Sequence, residues 1–105
     1  MAVEKKNAYE AKNAYEAVLV FSMNLGEDGI SEIRDKFKAL IEQNAENLEV
    51  DEWGKRRLAY PINFQNEGYY VLYEFVCAPD FPAELDRVCN ITEGVLRSLI
   101  VRIDD

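Results

Sequence analysis

The run Tyr69-Tyr70-Val71-Leu72-Tyr73-Glu74-Phe75-Val76-Cys77 is aromatic and β-branched over the length of one strand, with turn-forming residues just before it. Successive side chains of a strand alternate in direction, so Tyr69, Val71, Tyr73, Phe75 and Cys77 point one way and Tyr70, Leu72, Glu74 and Val76 the other. Both faces are mostly apolar. Residues 63–68 are polar turn chemistry, and Leu48 to Ile62 before them reads as a long extended segment, so the two segments form an antiparallel hairpin. The first arm changes parity at Trp53-Gly54, where a glycine permits a bulge. Past that point Leu58, Tyr60 and Ile62 are expected on one face, and Arg57 on the other, the uncovered side of the sheet.

Toward the N-terminus, Tyr15 to Ser22 is a further aromatic and β-branched run, ended by Asn24-Leu25-Gly26, and reads as the first strand. From about Asp28 the apolar residues fall at Ile30, Ile33, Phe37, Leu40 and Ile41, a spacing that gathers them on one side of a helix. Toward the C-terminus, Asp80 is placed to cap a second helix with Pro82 in its first turn and Leu85, Val88 and Cys89 as its apolar stripe. Val95 to Ile103 closes the chain as a last strand. The order strand, helix, strand, strand, helix, strand predicts an α+β fold, the ferredoxin-like βαββαβ sandwich: a four-stranded antiparallel sheet with two helices on one face and the other face uncovered.

The length leaves room for one domain. An exact hexapeptide duplication, Lys6 to Ala11 and then Lys12 to Ala17, sets residues 1–13 apart as a tail and leaves residues 14–105 as the domain. Of the 105 residues 12 are Lys or Arg and 20 Asp or Glu, a formal charge of −8, whose field argues against a self-sufficient nucleic-acid binder. The absence of histidine removes the commonest acid/base group, the usual triads and the commonest zinc ligand. Cys77 and Cys89 are too few for a disulfide framework and too far apart for a CxxC motif, which leaves two buried, reduced thiols. With no apolar run of membrane-spanning length and no signal-like N-terminus, a cytoplasmic protein is expected.

Little in the chain promises catalysis. The glycines form no phosphate loop, and the carboxylate pairs Glu27-Asp28 and Asp51-Glu52 lack ligand spacing, so solvated charge explains them. Lys55-Arg56-Arg57 is the one dense basic run and holds a quarter of the positive charge. It reads either as a wet strand edge or as a local phosphate contact. The segment Glu67 to Tyr73 only superficially matches an RNA-recognition pattern, since Glu67 stands where a basic residue is needed. Outward Tyr70 and Leu72 beside Val18 and Val20 instead form an apolar patch suited to a protein partner.

At Trp53-Gly54-Lys55-Arg56-Arg57-Leu58-Ala59-Tyr60-Pro61-Ile62, followed by Gly68-Tyr69-Tyr70, the sequence resembles the bacterial small-subunit (30S) ribosomal protein S-six family. Tyr15-Glu16 is similar to that family's opening and Ile91 through Val101 to its closing segment, so the likeness covers roughly Ala14 to Asp104. The resemblance implies a ferredoxin-like fold and a structural constituent of the small ribosomal subunit, with no catalytic residue, cofactor, metal or small-molecule substrate. It further implies binding to the central domain of 16S rRNA, in the platform, together with the basic ribosomal protein S-eighteen, during assembly and translation. By position, Lys55, Arg56, Arg57, Arg97 and Arg102 become the RNA or partner contacts, and Val18, Val20, Tyr70 and Leu72 the partner-docking face. Two departures stand out: Asn13-Ala14 replaces basic residues before the Tyr-Glu pair, and the chain ends in Asp104-Asp105. A ferredoxin-like metabolite sensor that dimerises through the same face is the alternative.

Overall fold

A computed structural model of the chain describes residues 12–62 and 64–103. Its elements run β1 (Asn13–Ser22), a 3-10 turn (Met23–Leu25), α1 (Gly26–Asn44), β2 (Ala45–Ile62), β3 (Gln65–Cys77), α2 (Phe81–Ile91) and β4 (Val95–Ile103). The sheet order is β2-β3-β1-β4 with every pair antiparallel, the ferredoxin-like arrangement the sequence predicts. Among the described residues no helix is long and apolar enough to cross a membrane.

The alternation read along β3 decides where the core lies. Val71, Tyr73, Phe75 and Cys77 are buried with Tyr15, Ala17, Leu19 and Phe21 of β1 against Ile30, Ile33, Phe37 and Ile41 of α1 and Phe81, Leu85 and Cys89 of α2. All of these belong to one apolar cluster, so both helices lie on the same side of the sheet. Phe21 stacks on Phe37 at 6.2 Å between centroids, and Phe75 meets Phe81 edge-on at 6.0 Å. The Tyr73 hydroxyl donates to the Arg34 carbonyl oxygen at 3.0 Å, satisfying its one polar atom inside the core.

At the wetter end of that layer Glu52 accepts from the Tyr69 hydroxyl at 2.6 Å and from Arg34 Nη1 at 3.0 and 3.1 Å. The cluster fastens α1 to β2 and β3. The Tyr69 hydrogen bond and the Arg34 guanidinium hold the Glu52 carboxyl below its ordinary range, and the same bond raises the Tyr69 phenol.

Several sequence expectations shift. Strands and helix extend past their predicted limits, β1 to Asn13 and β2 back to Ala45, and Lys12 forms an ion pair with Glu46. The second hexapeptide copy thus opens the sheet, while the first copy lies outside the described residues. Asp80 occupies the N-cap position of α2 but makes no side-chain capping bond.

The largest correction concerns the hairpin. The parity break at Trp53-Gly54 is real: the β2–β3 register shifts between Glu52 and Gly54, and Gly54 has φ +85°. Beyond it Arg56 pairs with Gly68 and Arg57 with Glu67. Arg56 therefore shares the uncovered side with Tyr70, and Arg57 takes the helix side, the reverse of the expectation. Leu58 is buried on the uncovered side, because Gly68 lacks a side chain there and lets Leu58 pack over it toward Val20.

Candidate nucleic-acid and partner interface

The uncovered face can be read row by row from the strand registers. One row crosses the sheet as Glu49, Glu74, Glu16 and Val101, the next as Asp51, Leu72, Val18 and Leu99, and the next as Gly54, Tyr70, Val20 and Arg97. Arg56 beside Gly68 begins the row after that. The face is graded: carboxylates at one end, an apolar belt across the middle, and two arginines at the other end.

Each zone has a local cause. Glu74 lies directly opposite both Glu16 and Glu49, so three like charges stand side by side, an arrangement that is destabilising in a lone sheet. Leu99 is 55% exposed and Val101 40%, on the edge strand of the belt. The bulge turns Trp53 outward, where its ring stacks on Tyr70 at 6.3 Å and carries the Arg56 guanidinium at 5.0 Å. The Trp53 indole N–H donates to Asp51 at 3.2 Å.

The basic set proposed from sequence is not one patch. Arg56 and Arg97 lie on the graded face. Lys55, opposite Tyr69, and Arg102, opposite Tyr15, take the helix side with Arg57. Of the four apolar residues, Val18, Tyr70 and Leu72 remain partly exposed on the face, whereas Val20 is only 3% exposed. Val20 is a corrected expectation: Leu58 and the close approach of Gly68 cover it, so it supports the face from beneath. Leu99, Val101, Trp53 and the row Glu16–Glu74–Glu49 were not singled out from sequence. The outward parity of Glu74 was the available signal. Its two carboxylate neighbours come from distant strands.

Among the described residues no group of His, Cys, Asp and Glu is placed to hold a metal ion. Burial pushes the Cys77 thiol up to about 11 and the Cys89 thiol up to about 12, which keeps both protonated and inert.

Comparison with known proteins gives this surface a context. A family model described as Ribosomal protein S6 matches residues 14–102. The chain is 52% identical over 87 residues to small ribosomal subunit protein bS6 of Caldanaerobacter subterraneus subsp. tengcongensis, covering 82% of this chain and 92% of that protein. The chain belongs to the ribosomal protein S6 family. A second S6-family relative, from Alkaliphilus oremlandii, is 46% identical over 87 residues, covering 83% and 93%. The crystal structure of 30S ribosomal protein S6 from Thermotoga maritima superimposes with a TM-score of 0.79 at 25% identity, covering 88% of each chain. The fold and the family thus agree with the sequence reading: this S6-family chain is a constituent of the small ribosomal subunit and not an enzyme.

Proposed function

We propose that this S6-family chain binds the central domain of 16S rRNA, in the platform of the cytoplasmic small subunit, jointly with the basic ribosomal protein S-eighteen. The observation that carries the reading is the carboxylate row Glu16–Glu74–Glu49 bordering an exposed apolar belt. Three adjacent carboxylates repel one another until cations lie over them, and the belt of Val18, Tyr70, Leu72 and Leu99 supplies the area that a protein buries. A chain of charge −8 that first gains a cationic partner then meets RNA with much of its own repulsion cancelled. A metabolite-sensing dimer would use the same face, but two copies face to face bring eight carboxylates from Glu16, Glu49, Asp51 and Glu74 against four arginines.

The test is the variant Glu16→Gln/Glu49→Gln/Glu74→Gln, titrated with ribosomal protein S-eighteen. Capture should weaken at least tenfold while the variant on its own becomes more stable, a pair of opposite signs that simple misfolding does not give. Undiminished capture would sink the reading. A mass measurement showing a stable homodimer that ignores the basic protein would favour the sensor.

A further inference from the structure

We propose that the tip of the β2–β3 hairpin is a base-stacking element, with Tyr60 and Phe64 receiving unpaired bases of the RNA; the proposal rests on the RNA reading above. The last residue of β1 to pair with the hairpin is Ser22, opposite Gly68; among the described residues the hairpin beyond it pairs with itself at Arg57–Glu67 and Ile62–Gln65, and the register shift between these pairs leaves Leu58 to Pro61 as an irregular segment of β2. The root of this hairpin arm is held in place: the Ser22 hydroxyl donates to Gln65 at 3.0 Å, and Leu58 is buried beside Val20. Past this root the arm is bare. Tyr60 is 73% exposed and Phe64 100%, and Ala59 and Pro61 are exposed beside them.

Neither ring belongs to the apolar core. Phe64 also has φ +66°, a conformation that bulky side chains rarely adopt and that asparagine or glycine takes more readily. An aromatic that neither packs on the fold nor suits the backbone is free to receive a group from outside the molecule.

Charge identifies the occupant. Residues 53–68 carry Lys55, Arg56 and Arg57 against Glu67, or 3 − 1 = +2, so the remainder of the chain carries −8 − 2 = −10. Lys55 and Arg57, which share the helix side, followed by flat rings at the hairpin's end suit a strand whose phosphates lie against those two cations and whose bases stack on the tip. Such stacking discriminates little by sequence, since every base has a π-face. The graded sheet face and the tip then divide the work, one for protein and one for RNA.

The experiment compares the full chain with its Tyr60→Leu/Phe64→Leu variant, each bound to ribosomal protein S-eighteen, for affinity toward a central-domain 16S rRNA fragment. Leucine preserves apolar bulk and removes the ring. We expect roughly a ten- to hundredfold loss of RNA affinity with an unchanged salt slope, because no phosphate contact is lost. Ultraviolet cross-linking of the wild-type complex should join RNA to Tyr60 or Phe64. Wild-type affinity in the variant, or cross-links confined to other segments, overturns the proposal. Loss of S-eighteen capture by the variant also overturns it, since the tip would then be a protein contact. Should the wild-type pair bind no RNA at all, the broader reading fails instead, a result distinct from failure of the tip alone.

Discussion

The Arg56 guanidinium lies over the indole of Trp53, 5.0 Å from the ring centroid, on the side of the sheet opposite α1 and α2. Trp53 is the only tryptophan in the chain, so this contact places a single fluorescent reporter between the arginine end of the graded face and its apolar belt. Covering the face with a partner removes water from the indole. Titration with ribosomal protein S-eighteen should therefore shift Trp53 emission to the blue and protect it from iodide quenching. Arg56→Ala alone should increase quenching in the free protein while changing stability by less than about 0.5 kcal/mol. An emission spectrum indifferent to a bound partner would place the docking surface elsewhere.

Why Arg56 and not Arg57 reaches that face shows what the sequence can and cannot say. Period-two alternation from Tyr69 to Cys77 was legible because burial on one side repeats every second residue within a single strand. The break at Trp53-Gly54 was legible too, as a change of parity beside a glycine. Which face each parity belongs to afterwards depends on pairing with Gly68 and on the space Gly68 leaves for Leu58, and that is a relation between strands. The same limit hid the row Glu16–Glu74–Glu49, whose members are adjacent only through register, and the burial of Val20.

The thiols give a direct check on the core. Cys77 and Cys89 are buried, with burial raising them to about 11 and about 12. A thiol-specific aromatic disulfide at mildly alkaline pH should leave both unmodified in the folded protein and modify both in concentrated guanidinium. Rapid modification of either one under native conditions would show that its helix or strand opens far more easily than this packing allows.

The Glu52 cluster sets a pH dependence with opposite signs at its two ends. Because Tyr69 and Arg34 depress Glu52 in the folded state below its ordinary 4.5, the stabilisation is complete above that value and disappears as pH falls through the lower folded one. Tyr69 is raised above 10.0, so its contribution is present below that pH and is lost as pH climbs through the raised value. Glu52→Gln should flatten both limbs of a plot of urea midpoint against pH. The side chains are partly exposed, which keeps the loss at neutral pH to about 0.2–1 kcal/mol. Unaltered limbs in the variant would mean that the ion pair and the phenol contact are absent in solution.

Gly68 tests whether the hairpin arm is positioned by its close approach to β1. A Cβ added there would overlap Val20 Cγ1 and touch Leu58 Cδ2 at 3.4 Å. Val20 is β-branched and cannot swing that methyl away without leaving its rotamer, so the strain passes into the strands. Gly68→Ala should destabilise by about 1–3 kcal/mol, the usual cost of overpacking a filled site. Val20→Ala alone should cost about 2 kcal/mol, from lost burial and the cavity left behind. In the double variant the new methyl occupies the space the valine vacated, so the combined loss should fall short of the sum by about 1 kcal/mol or more. Urea unfolding of the four proteins closes the cycle. Strict additivity would mean that the arm moves freely at its root and that a side chain at position 68 is accommodated by tilting it, in which case the tip could not present Tyr60 and Phe64 in a fixed direction.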